Sequence, residues 1–124
     1  MKPFLLVALG GGAGAVCRYA LTLLPISARF PFATLIANAL GALIIGFLAG
    51  CASQLDAFPA GLNLLLKTGF CGGFTTFSTF SLETVTLWQQ RRIWAAGGNA
   101  VLSLAVCFAG VAAGQALAGL IFRR

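Results

Sequence analysis

Residues 69–83 read Gly69-Phe70-Cys71-Gly72-Gly73-Phe74-Thr75-Thr76-Phe77-Ser78-Thr79-Phe80-Ser81-Leu82-Glu83, with two adjacent glycines followed by five hydroxyl residues between Thr75 and Ser81. The stretch lies inside an apolar segment, Leu62 to about Gln89, long enough to cross ~30 Å of hydrocarbon as a helix. Its composition makes a poor lipid-facing helix, and adjacent glycines favour an interruption. Unwound backbone at membrane depth is tolerated only where it is buried in protein or lines a cavity, and its freed carbonyls commonly coordinate a cation. The stretch is therefore expected to be a break that holds an ion or water. Phe77 and Phe80, three apart, fall on one side of the half-helix that follows. Phenylalanines at such spacing ordinarily pack in a core or face lipid. These are flanked by Thr76, Ser78, Thr79 and Ser81 rather than leucines. A ring edge aimed into a narrow polar path attracts an anion without adding formal charge.

Outward from this element the chain is dominated by lipid-compatible sequence. Of 124 residues, 60% are hydrophobic and 8% charged, whereas soluble domains average about 25% charged. The charges divide the chain into four spans, about 3–24, 32–53, 62–89 and 94–122, with none between Arg29 and Asp56 or between Arg92 and Arg123. Pro25 and Pro31, Asp56 with Pro59, and Gln89-Gln90-Arg91-Arg92 mark the connections. The expected fold is all-α, a single transmembrane domain over 1–124 with a broken third helix. Lys2, the run Phe4 to Leu9 and Ala13-Gly14-Ala15 loosely resemble a cleavable signal. Glycines interrupt its apolar core, so a retained first helix is expected.

The net charge is +6, but no basic stripe or aromatic-basic module suits nucleic acid, and lipid headgroups are the expected partner. Basic residues near span ends bias orientation. Four spans place Lys2, Lys67, Arg123 and Arg124 on one side and Arg18, Arg29, Arg91 and Arg92 on the other. This balance gives no strong preference and admits insertion both ways up, although Arg18 or Lys67 inside a span would drop from the count. Cys17, Cys51, Cys71 and Cys107 form no C-x-x-C pair and histidine is absent. They are expected to be small buried hydrophobes rather than disulfide or zinc ligands. No Ser-His-Asp, Cys-His or paired-carboxylate constellation exists, which argues against an enzyme.

Small residues at spacing four, Gly10 with Gly14, Gly46 with Gly50 and Gly110 with Gly114, read as close helix packing, within a subunit or between subunits. Gly10-x-Gly12-x-x-Ala15 mimics a dinucleotide fingerprint but lacks the acid about 20 residues on, since the first acid is Asp56. Asn38 sits mid-span, where an unpaired amide costs roughly 2–7 kcal/mol; it either ties helices together or lines a pathway. Asn99, Ser103 and Cys107 recur every four residues and lead into Gly110 and Gly114, a stripe that suits a helix interface or a pore wall. Arg18 and Glu83 are charges near span ends, where charge is usually paired or functional. Arg18 alternatively snorkels to headgroups, and Glu83 caps polar groups at a vestibule.

Residues 69–83 resemble the signature of the CrcB/Fluc fluoride channels. The glycine-rich start ending in Arg18-Tyr19 and the Thr34-Leu35-x-x-Asn38 segment extend the resemblance over the whole chain. It implies a fluoride-selective channel of the bacterial inner membrane that exports fluoride passively and confers fluoride resistance. It also implies an antiparallel, dual-topology homodimer with two pores and a central structural sodium ion, consistent with the balanced basic residues. By position, Gly72 and Thr75 would offer backbone carbonyls to sodium, and Phe77 and Phe80 ring edges to fluoride. Asn38 would hydrogen-bond the anion, while Ser78, Thr79, Asn99 and Ser103 would add polar stations. Arg18 would sit by the vestibule, with Glu83 and Thr34 near it. Ala33 stands where the family often has glycine, and Asn99 where some members carry tyrosine, which bears on the fourth-span assignments.

Two alternatives compete. A small proton-coupled multidrug exporter shares four spans but normally needs a membrane glutamate in its first, and residues 3–24 contain no acid. A noncatalytic membrane assembly factor would use the glycine pairs but has no purpose for the hydroxyl-rich break. Both rank below the channel.

Overall fold

A computed structural model describes residues 1–25, 29–55 and 58–122, all-helical with no strand among them. Asp56, Arg123 and Arg124, used above for the connections and the charge balance, lie outside the described residues. Helix α1 is Lys2–Thr22, with Pro3 in its first turn, and α2 is Phe32–Gln54. The third segment is composite: α3 (Ala60–Asn63), a π-helical stretch Leu64–Cys71, α4 (Gly72–Phe74) and α5 (Phe77–Gln89). Helix α6 is Ile93–Ile121. It follows a tight reversal in which Arg91 adopts a left-handed φ of 61°.

Three of these helices, α1, α2 and α6, are long and apolar enough to cross a membrane. Their large apolar side chains point outward. Phe4, Trp94 and Phe108 are 81%, 95% and 73% exposed, whereas the interior is rich in small residues, Ala37, Ala42, Ala96, Ala118 and buried glycines, beside a few larger ones such as Leu48, Phe74 and Leu87. A soluble monomer does not display so much apolar surface; a protein solvated by lipid does, because lipid gives no reason to bury leucine and leaves close backbone packing to hold helices together.

The glycine pairs make that packing within the chain. A Cβ on Gly114 would meet the Leu43 carbonyl, and one on Gly46 the Val111 carbonyl, which brings α2 and α6 into backbone contact. Likewise Gly10 lies against Leu65 and Gly14 against Phe70, docking α1 on the third segment. Three of the four expected spans coincide with α1, α2 and α6; residues of the expected third fall in the composite Ala60–Gln89 segment.

The glycines of the third segment are not where the backbone leaves the helix. Gly72 has helical dihedrals (φ −63°, ψ −37°), whereas Thr75 and Thr76 are extended, with ψ of 155° and 118°. Within the expected run Gly72 to Ser81, the residues that leave the helix are Thr75 and Thr76. Gly73 has a different task, since a Cβ there would strike the Gly11 carbonyl of α1; Gly72 faces open space, with nothing within 4 Å.

Candidate ion pathway

The interruption is held open by a side chain from another helix. An unbroken α-helix would direct the Thr76 N–H to the Gly72 carbonyl. Instead it donates to Asn38 Oδ1 at 2.7 Å, while Asn38 Nδ2 donates to the Thr76 carbonyl at 3.1 Å. One carboxamide therefore satisfies both polar groups of the extended residue, as a neighbouring strand would. The Gly73 carbonyl accepts from Arg18 Nε at 3.2 Å. Thr76 then caps α5: its Oγ1 accepts from the Thr79 N–H at 3.2 Å and donates to Thr79 Oγ1 at 3.0 Å. Upstream, Thr75 folds its hydroxyl back on the Cys71 carbonyl at 2.8 Å.

Directly after the break, the Phe77 and Phe80 rings lie 5.5 Å apart, tilted by 44°. Phe77 is 75% exposed. Both rings border an open cavity of about 350 Å³, which Asn38, Gly72, Thr75 and Ser103 also line. One volume thus brings together two aromatic rings, an amide, hydroxyls and the residues flanking the break.

The polar residues of α6 divide. Asn99 is 1% exposed and donates through Nδ2 to Thr84 Oγ1 at 2.8 Å; Ser103 Oγ donates weakly to Asn99 Oδ1 at 3.5 Å. Asn99 ties α6 to α5 and does not line the cavity, whereas Ser103 and Cys107 do. Nearer the end of α5, Thr34 Oγ1 donates to Glu83 Oε1 at 2.8 Å. Glu83 Oε2 is buried without a hydrogen-bond partner among the described residues. Glu83 borders a second cavity, of about 510 Å³, together with Arg29, Arg92, Thr86 and Gln90.

This architecture can be set against known proteins. The profile of the family described as CrcB-like protein, Camphor Resistance (CrcB) matches residues 5–115. The chain belongs to the CrcB family. It is similar to the fluoride-specific ion channel FluC of Ruminiclostridium cellulolyticum, 47% identical over 115 residues, which cover 90% of this chain and 88% of that one. The FluC of Serratia proteamaculans is 45% identical over 107 residues (85% and 84% of the two chains). That of Methanocaldococcus jannaschii is 38% identical over 124 residues (99% of each). The protein is a multi-pass membrane protein and not an enzyme. The multidrug-exporter alternative finds no support in these relatives.

Within this CrcB chain, the residues singled out by sequence fall into three places. Asn38, Phe77, Phe80, Ser103, Gly72 and Thr75 share the first cavity. Glu83 lies on the second, paired with Thr34. Ser78 is exposed on α5, Thr79 sits in its cap, Asn99 is buried, and Arg18 bonds the break from α1. Sequence reasoning overlooked Thr76 and Thr84. The T-x-x-T spacing of Thr76 and Thr79 is a helix-start signal that could have marked the first; Thr84 becomes visible only once Asn99 is placed beside it.

Proposed function

We propose that this protein is a fluoride channel through which fluoride leaves the cytoplasm down its gradient, working as an antiparallel homodimer of four-span subunits in the bacterial inner membrane. Its closest support is the cavity in which Asn38, Phe77, Phe80 and Ser103 converge, in a family whose relatives carry the name fluoride-specific ion channel.

Fluoride is small and tightly hydrated, so a selective path must replace its water with donors at close range while binding it weakly enough to release it. The residues present suit this. Asn38 commits one N–H of its amide to Thr76, and its second N–H is left to meet an anion. The Phe77 and Phe80 edges are positive without formal charge. Ser103 adds a hydroxyl to the cavity lining, and Ser78 and Thr79 stand between the two phenylalanines on α5. Among the described residues no guanidinium lines this cavity, and its one charged side chain is Lys67, so the donors around Asn38, Phe77 and Phe80 are neutral.

A second subunit accounts for the open side of the cavity and for the 75% exposure of Phe77, because a conduction path needs walls that one subunit does not supply. Gly72 and Thr75 would hold a sodium ion through backbone carbonyls. The fit rests on the diverted Thr76 amide, which releases the Gly72 carbonyl, and on the open space at Gly72; neutral carbonyls of unwound membrane helices are suited to sodium. When bound, the ion supplies a fixed positive charge at the junction of the subunits.

Proteoliposomes loaded with fluoride and chloride test the reading. Fluoride release, followed with an ion-selective electrode, should far exceed chloride release; equal efflux of the two would sink it. Crosslinking between cysteines placed at opposite ends of the subunits, in a background without native cysteine, tests the antiparallel arrangement.

A further inference from the structure

The first cavity is lined by one charged residue, Lys67, which neither the helix periodicity nor the family signature assigns to the pathway. In an α-helix, residues five apart diverge by about 140° around the axis, so Lys67 and Gly72 would face different surroundings. Here Leu64–Cys71 is π-helical, and its i→i+5 register stacks residues five apart on one side. Lys67 and Gly72 both border the same cavity, as that winding allows. The Lys67 side chain is exposed. It stands five residues into the span that begins near Leu62, about 8 Å below its start. A cation at that depth is costly against lipid and is normally found facing a water-filled cavity.

Helical side chains lean toward the N-terminus. For Lys67 that lean is away from Gly72 and toward the Leu64 end of the π-helical stretch. Among the described residues no carboxylate lines the cavity to cancel its charge. We propose that Lys67 is an anion-attracting residue at the mouth of the pathway, which raises the local fluoride concentration ahead of the neutral donors at Asn38, Phe77 and Phe80. It touches the ion by long-range attraction rather than by holding it. At a separation of ~8 Å and an effective dielectric of ~40, one unit charge changes local anion concentration roughly fivefold.

This inference rests on the fluoride-channel reading, and the two fail differently. Fluoride efflux from proteoliposomes is measured below saturating fluoride, first in low ionic strength and then in ~0.5 M potassium gluconate, where the charge is screened over a few ångströms. Wild-type efflux should fall about threefold to fivefold with added salt. Lys67→Gln should start about fivefold slower at low salt, converge on wild type at high salt, and reach the same rate at saturating fluoride; Lys67→Arg should behave as wild type. A Lys67→Gln protein with unchanged concentration and salt dependence overturns the proposal and leaves Lys67 snorkelling to headgroups. If that variant does not assemble, wild-type efflux indifferent to salt overturns it equally. Absence of fluoride efflux from wild type would instead reject the channel reading itself.

Discussion

The carboxamide of Asn38 hydrogen-bonds both the N–H and the carbonyl of Thr76, at 2.7 and 3.1 Å, and so fixes from α2 the place where the third segment leaves the helix. Replacing it with leucine would strand two backbone groups, at about 1–3 kcal/mol each. Asn38→Leu is expected to lower the unfolding temperature of the detergent-solubilised protein markedly and to abolish fluoride flux. Asn38→Asp keeps an acceptor for Thr76 and should be milder in stability, yet equally inactive, because a carboxylate in the path repels fluoride. Thermal unfolding and proteoliposome efflux on both variants separate the two effects; a conducting Asn38→Asp would remove this residue from the path.

Phe77 and Phe80 offer the opposite profile. Phe77 is 75% exposed, so its ring contributes little to packing within the chain. Phe77→Ile and Phe80→Ile should each reduce fluoride efflux by tenfold or more with the unfolding temperature nearly unchanged. Flux that survives both substitutions would show that ring edges do not carry the anion.

The two adjacent glycines are predicted to differ sharply. A Cβ on Gly73 would run into the Gly11 backbone carbonyl, which cannot yield as a side-chain tip would. Gly73→Ala should therefore cost about 1–3 kcal/mol, as overpacking does, and reduce the yield of folded protein. Gly72→Ala meets nothing within 4 Å and should leave the subunit's fold intact. Any defect it shows should appear in assembly or sodium dependence, read by size-exclusion chromatography in sodium and in a sodium-free buffer.

Which parts of this arrangement sequence could reveal follows from where each is determined. Span lengths and glycine pairs are local properties, and both are visible in composition and spacing. Glycine and hydroxyl content marks the run Gly72 to Ser81, but the place within it where the helix stops depends on Asn38, 38 residues upstream of Thr76, and composition does not reveal it. The π-helical winding from Leu64 to Cys71 had no signature, because hydrogen-bond register there is settled together with the close approach of α1 at Gly10 and Gly69. Lys67 was consequently counted only for topology. On α6 the spacing of Asn99 and Ser103 was legible while their different surroundings were not.

That difference gives another prediction. Asn99 is buried against Thr84, so Asn99→Ala should destabilise the α5–α6 pair by about 1–3 kcal/mol. Its loss of flux should track the loss of folded protein, and Thr84→Val should behave alike. Ser103→Ala touches the cavity wall and should lower flux per folded protein with little change in unfolding temperature. Equal stability losses at both positions would mean that the whole stripe is structural.

Arg18 allows its charge and its hydrogen bond to be tested apart. Its Nε, part-way along the side chain, donates to the Gly73 carbonyl at 3.2 Å. Lysine retains the charge but has no donor at that point of its stem, and methionine lacks both. A hydrogen bond from a charged group contributes about 1.5–3 kcal/mol. If Arg18 acts by anchoring the α4 end of the break, Arg18→Lys and Arg18→Met should lose similar stability and similar flux. If its charge serves a vestibule, Arg18→Lys should conduct well above Arg18→Met at low ionic strength, with the gap closing as salt is added. The hydrogen bond to Gly73 favours the first outcome, since the backbone that Arg18 grips adjoins Gly72 on one side and leads into Thr75 on the other.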